Sequence, residues 1–155
     1  MLLSRLTFPV LFLLFLSLVS AGCITSGDPA PKDLPQEKLD QIVGAYNKNG
    51  TAWIAIDPVS NHVIGEKFIV TAKTDLPEGE KVLVQTWPVS FARPDKYTIN
   101  NGLSEEIFVT KGTAGTNVIS LSIDAADFRD ATYILSMEKG PDTASAATWY
   151  LVRAK

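Results

Sequence analysis

The chain has one cysteine, one histidine and no cluster of basic residues, and each shortage removes a class of function. With Cys23 as the sole thiol, no intramolecular disulfide can form, so the fold rests on its apolar core. A single histidine, His62, cannot supply the two-histidine ligand set of a copper site in a β-sandwich. His62 lies in "PVSNHVIGE", an expected loop between two strands, and is expected at the surface. No serine occupies a Gly-x-Ser-x-Gly turn, and a hydrolytic triad needs a nucleophile and an orienting group around its imidazole. Fourteen Lys and Arg against 17 Asp and Glu leave a formal net charge of −3, without the basic face of a nucleic-acid binder. The apolar run Leu6–Val19 falls short of the roughly 20 residues that a membrane-spanning helix requires.

What the N-terminus does contain is an address. Arg5 precedes that apolar run, and Ser20, Ala21 and Gly22 close it with small side chains, the layout of a secretory signal peptide over residues 1–22. "SAGC" resembles the lipobox of prokaryotic lipoproteins, in which a peptidase cuts between positions equivalent to Gly22 and Cys23. The cysteine sulfur of that family carries a diacylglyceryl group. Ser20 departs from the pattern, which usually has an aliphatic residue there, so cleavage after "SAG" with a free thiol is the competing expectation. Two acyl chains, at about 0.8 kcal/mol per buried methylene, suffice for stable membrane attachment.

Residues 23–34 follow as a tether rich in Pro, Gly, Ser and Asp. Over 35–50 the texture changes to a short helix and linker. Pro35 suits a first turn, Leu39, Ile42, Val43 and Tyr46 recur at helical spacing, and Asn49-Gly50 provides a stop, which places the helix near 35–47. Its apolar stripe is expected to pack on the domain. From Thr51 to Lys155 the pattern is one of short strands between turn signals: "AWIAI", "KFIVTAKT", "KVLVQTW", edge strands within "KYTINNGLSEEIFVT", then "NVISLSID", "TYILSME" and "TWYLVRA". In "NVISLSID", Ile119, Leu121 and Ile123 alternate with Ser120, Ser122 and Asp124, so the first set is expected inward. About seven such strands predict an all-β sandwich over 51–155.

"DATY", Asp130–Tyr133, resembles the tyrosine corner of immunoglobulin-like domains. That resemblance implies Leu135 and Val70 at the positions facing each other across the core, and makes Trp87 a candidate core tryptophan. The stretch "WIAIDPVSNHVIGEKFIVTAKTDLPEGEKVLVQTWPVSF", residues 53–91, is similar to an uncharacterised immunoglobulin-like domain of methanogenic archaeal surface proteins. "IDAADFRDATYILSMEKG" fits a later segment of the same domain. The resemblance implies an extracellular immunoglobulin-like β-sandwich and no reaction.

Candidate chemistry is sparse. Asp124, Asp127 and Asp130 cluster in one turn, but Arg129 sits among them and no glycine shapes a calcium loop, so they are expected as solvated acids. Glu105 and Glu106 fit a charged edge strand. Trp53, Trp87 and Trp149 are expected mostly in the core, and a sugar-stacking platform is the alternative. Asn49-Gly50-Thr51 is an N-glycosylation sequon. Catalytic residues, metal ligands and cofactors are all expected to be none. The expected function is a non-catalytic cell-surface lipoprotein, a binding or structural module of the envelope held to the membrane through Cys23. Its expected partners are an envelope protein or glycan and no nucleic acid. The alternative is a carbohydrate-binding surface protein that stacks sugars on exposed aromatics.

Overall fold

The computed structural model describes residues 33–89, 101–140 and 142–155. The expected signal peptide and the tether up to residue 32, with Gly22 and Cys23, lie outside that set. Helix α1 spans Gln36–Tyr46. Pro35 is its N-cap, at φ −55° and ψ 143°, where a missing N–H costs nothing, and Glu37 in the first turn complements the positive helix end. The helix ends ahead of the expected Asn49-Gly50 stop, because Asn47 turns extended while its N–H bonds back to the Val43 carbonyl.

Among the described residues nine strands follow: β1 (Lys48–Asn49), β2 (Ile54–Ile56), β3 (His62–Val63), β4 (Lys67–Thr74), β5 (Lys81–Pro88), β6 (Leu103–Phe108), β7 (Asn117–Asp124), β8 (Ala131–Gly140) and β9 (Ala144–Arg153). They form two sheets, one ordered β2-β4-β7 and the other β1-β9-β8-β5-β6, with β3 added to the free side of β9. Pairing is antiparallel throughout except between β3 and β9, where His62 lies opposite Val152 and Val63 opposite Arg153. The chain thus crosses from one sheet to the other between β2 and β3.

The two sheets pack face to face. In β4 and β7 the burial alternates as the sequence pattern predicts, with Phe68, Val70, Ala72, Ile119, Leu121 and Ile123 inward. Val82, Val84, Tyr133, Leu135, Met137, Tyr150 and Val152 meet them from the larger sheet, so Val70 and Leu135 share one core. At one end this core is aromatic: Phe128 stacks on Tyr133 at 4.6 Å, Tyr133 on Tyr150 at 5.8 Å, and Phe68 meets Tyr150 edge-on at 5.7 Å. Burial pushes the Tyr150 phenol well above its ordinary range, so it stays neutral and shares a 2.9 Å hydrogen bond with the Thr86 hydroxyl.

The larger sheet is buried on its outer face as well. Leu39 of α1 packs there against Trp87, Ile134 and Ala147, with Leu34, Ile42, Val43, Tyr46 and Trp149 around them. Helix and strands therefore belong to one compact unit. The placement decides which face of β5 Trp87 takes. Trp87 is buried, yet it faces the helix and not the space between the sheets, because Val82 and Val84 already take the inward parity of β5. At the start of β8 the Arg129 N–H donates to the Tyr133 hydroxyl oxygen at 3.0 Å.

Candidate functional site

Three arrangements hold polar chemistry, and they sit at different places along β9. The first is a clasp where the expected tether meets the domain. Asp33 accepts a hydrogen bond from the Thr132 hydroxyl at 2.5 Å, and both its oxygens receive the Arg153 guanidinium, at 3.2 and 3.0 Å. The same guanidinium reaches Asp130 at 3.1 Å. Thr132 first and Arg153 second hold the Asp33 carboxyl below the ordinary carboxylate range. Asp33, expected as tether, is thus tied to β8 and β9 across sequence separations of 99 and 120 residues.

The second arrangement surrounds His62 and overturns its expected place at the surface. Gly65 takes φ +84°, a left-handed conformation that costs glycine little, and lets the Glu66 N–H close a turn onto the Val63 carbonyl at 3.0 Å. Glu66 then folds back, so that one carboxylate oxygen accepts the Val63 N–H at 3.0 Å and the other lies 3.2 Å from His62 Nδ1. The Val63 N–H first and the imidazole second hold the Glu66 carboxyl below its usual range. His62 is only 8% exposed, because pairing with β9 pulls its ring under the strand and onto Phe68, 3.6 Å away and nearly parallel.

Ser60 Oγ lies 3.5 Å from His62 Nε2, so hydroxyl, imidazole and carboxylate stand in a row. Acyl transfer would also require N–H donors aimed at a developing oxyanion. The neighbouring N–H groups of Ile64, Gly65 and Glu66 are committed to the carbonyls of Arg153, Ala125 and Val63. The row fits a latch that fastens β3 against the core.

The third arrangement is an open groove along the seam between the sheets. It has a volume of about 370 Å³ and is lined by Asn47, Asn49, Ile54–Ile56 and Ser145–Thr148. β1 covers β9 only at Ala144 and Ser145, and β3 covers it only at Val152 and Arg153. Among the described residues no strand pairs with Ala146–Leu151 on this side. Two side-chain amides partly stand in: Asn47 Oδ1 accepts the Ala147 N–H at 2.7 Å and Asn61 Oδ1 accepts the Leu151 N–H at 3.3 Å. Beside Asn49, the Gly50 and Ala52 N–H groups both donate to the Thr143 carbonyl. Gly50 runs so close to the β8–β9 hairpin that a Cβ there would sit 2.0 Å from the Asp142 carbonyl oxygen.

The remaining sequence candidates are dispersed. Asn49 is exposed on β1 and lines the groove. Asp124 pairs with Lys67 at 3.1 Å and accepts the Ala126 N–H, which together hold its carboxyl low, while Asp130 is drawn into the clasp. Glu105 and Glu106 are exposed on β6, where Glu106 pairs with Lys81. Trp53 and Trp149 are half-buried, Trp53 with its backbone N–H donating to Asp75 and Trp149 in the cluster under α1. Among the described residues no three metal-ligating side chains gather, and no helix is long and apolar enough to cross a membrane. No known protein family matches the chain, and no curated protein matches it in sequence. Sequence reasoning missed Asp33, Arg153, Asn47 and Asn61. Their signal lay in partners about 90 to 120 residues away, beyond any local pattern.

Proposed function

We propose that this protein is a non-catalytic, lipid-anchored surface lipoprotein whose immunoglobulin-like sandwich serves as a binding or structural module of the cell envelope. The observation that carries the reading is the clasp. In this reading the chain passes from the anchor into the domain at Asp33. Asp33, ten residues after Cys23, is bound there by Thr132 of β8 and Arg153 of β9. The apolar leader and the "SAGC" cleavage pattern supply export and the anchoring thiol.

The immunoglobulin-like assignment draws on two features. The Tyr133 hydroxyl pins the chain four residues upstream, as a tyrosine corner does. The strand order sets β2, β4 and β7 against β5, β6, β8 and β9, with the chain changing sheets between β2 and β3. Resemblance to methanogen surface domains over residues 53–91 favours an archaeal envelope. Around His62, the N–H groups of Ile64, Gly65 and Glu66 are spent on backbone carbonyls, which suits a module that binds or spaces and does not catalyse.

The test compares wild-type protein and Cys23→Ala in cells of the source by membrane fractionation, with mass analysis of the N-terminal peptide. The expected result is a membrane-bound wild type whose Cys23 bears a diacylglyceryl mass and a Cys23→Ala form released to the medium. Equal membrane retention of both proteins, with an unmodified Cys23, would overturn the anchor. Crosslinking on intact cells then names the envelope partner.

A further inference from the structure

We propose that Asn49 carries an N-linked glycan and that this glycan covers the open seam between β2 and β9. The inference rests on the exported-lipoprotein reading, since transfer of oligosaccharide occurs outside the cytoplasm. Asn49, Gly50 and Thr51 form the sequon, and all three are exposed. Among the described residues, no hydrogen bond ties the Asn49 or Thr51 side chain to the fold, whereas the amides of Asn47 and Asn61 are both engaged by β9. Of these three asparagines, only Asn49 leaves its carboxamide available.

The position has a use for a cover. Asn49 lies directly opposite Ala144 in an antiparallel pair, so the two side chains share a face, and Ala144 belongs to the core between the sheets. Asn49 therefore stands at the mouth of the seam and lines its groove with Ile54–Ile56 and Ser145–Thr148. The stretch "ASAATWYLV", residues 144–152 of β9, contains no charge and no proline. Exposed edges of that composition are templates for pairing with another chain, and natural sheets blunt them with charges, prolines or coverings. Here two asparagine amides meet the open edge at Ala147 and Leu151, and a bulky hydrophilic sugar rooted at Asn49, beside Ala144, would extend from that end over the groove.

Geometry also makes the site reachable. Arg153, which grips Asp33, lies at the far end of β9 from Ala144, about 30 Å away at ~3.3 Å per residue. The sequon thus occupies the pole opposite the tether's entry. In the transfer, Asn49 Nδ2 attacks the anomeric carbon of a polyprenyl-phosphate-activated oligosaccharide. A C–N bond forms and the anomeric C–O bond breaks, its electron pair leaving with the phosphate. The amide gives up one proton to a base of the transferase.

The experiment isolates the full chain from its own cells, digests it and weighs the peptides containing Asn49 and Cys23, alongside Asn49→Gln and Thr51→Ala forms made in the same cells. Glycan mass on Asn49 in most wild-type copies, absent from both variants, is expected. Amide exchange across Ala146–Leu151 is expected to quicken about tenfold or more in both variants. An unmodified Asn49 beside a lipid-bearing Cys23 would overturn this inference alone, whereas an uncleaved leader would overturn the reading beneath it. A glycan on Asn49 with exchange unchanged in the variants would overturn the covering role.

Discussion

Removing Leu39 tests whether α1 is part of the folded domain. Leu39 is the one fully buried residue of the helix, 3% exposed, and it meets Trp87, Ile134 and Ala147 on the outer face of the larger sheet. Leucine-to-alanine changes at buried sites cost about 2–5 kcal/mol, the spread reflecting how far the surroundings collapse into the vacated space. A single helix lying on a sheet can settle inward, which places Leu39→Ala near the lower end, about 2–3 kcal/mol. Urea unfolding followed by tryptophan emission reads this directly, because Trp87 and Trp149 both belong to the affected cluster. With a slope of about 1–3 kcal/mol per molar, the midpoint falls by about 1 M while the slope stays constant. Ile69→Ala is the control: Ile69 is 67% exposed on the outer side of β4, and its loss is expected to change stability by under about 0.5 kcal/mol. A Leu39→Ala midpoint no further shifted than the control would refute the docking of α1 as described.

Two further outcomes follow from the clasp and the corner. Tyr133→Phe keeps the ring stacked on Phe128 but strips the acceptor from the Arg129 N–H, and a loss of about 1–3 kcal/mol in thermal unfolding is expected. A wild-type melting temperature in that variant would refute the corner's role. Asp33 has a depressed carboxyl pKa in the folded chain, so its contribution to stability is complete above the ordinary carboxylate value, near ~4, and is lost as pH falls through the folded value. Wild-type protein should therefore lose stability more steeply than Asp33→Asn below about pH 4, and parallel acid-unfolding curves would refute the clasp.

Local pattern made some elements legible and hid others for a physical reason. β4 and β7 each bury one face, so "KFIVTAKT" and "NVISLSID" matched the limits of these strands, and period-two alternation in the second matched its inward residues. β5, β8 and β9 are covered on both faces, by the opposing sheet and by α1. Their apolar residues run nearly continuously, and the face taken by Trp87 was therefore not readable. His62 looked like a loop residue because the two-residue strand that buries it exists only through pairing with Val152 and Arg153. The sequon was visible as three letters, but the need for a cover beside it was not. That need depends on where β1 and β3 stop along β9, which is a property of the assembled sheet.

Gly50 bears on how variation at the sequon should be interpreted. Its Cα lies so close to the Asp142 carbonyl that any side chain would collide, whether or not a sugar is attached next door. Sequence drift in descendants of this protein would hold position 50 at glycine for reasons of hairpin contact alone, and its persistence would carry no information about modification. Positions 49 and 51 are different, because among the described residues no hydrogen bond holds their side chains to the fold. Lineages that lost the transferase would be free to change either one, and joint retention of asparagine and threonine around an immovable glycine would be the inherited trace of the sugar.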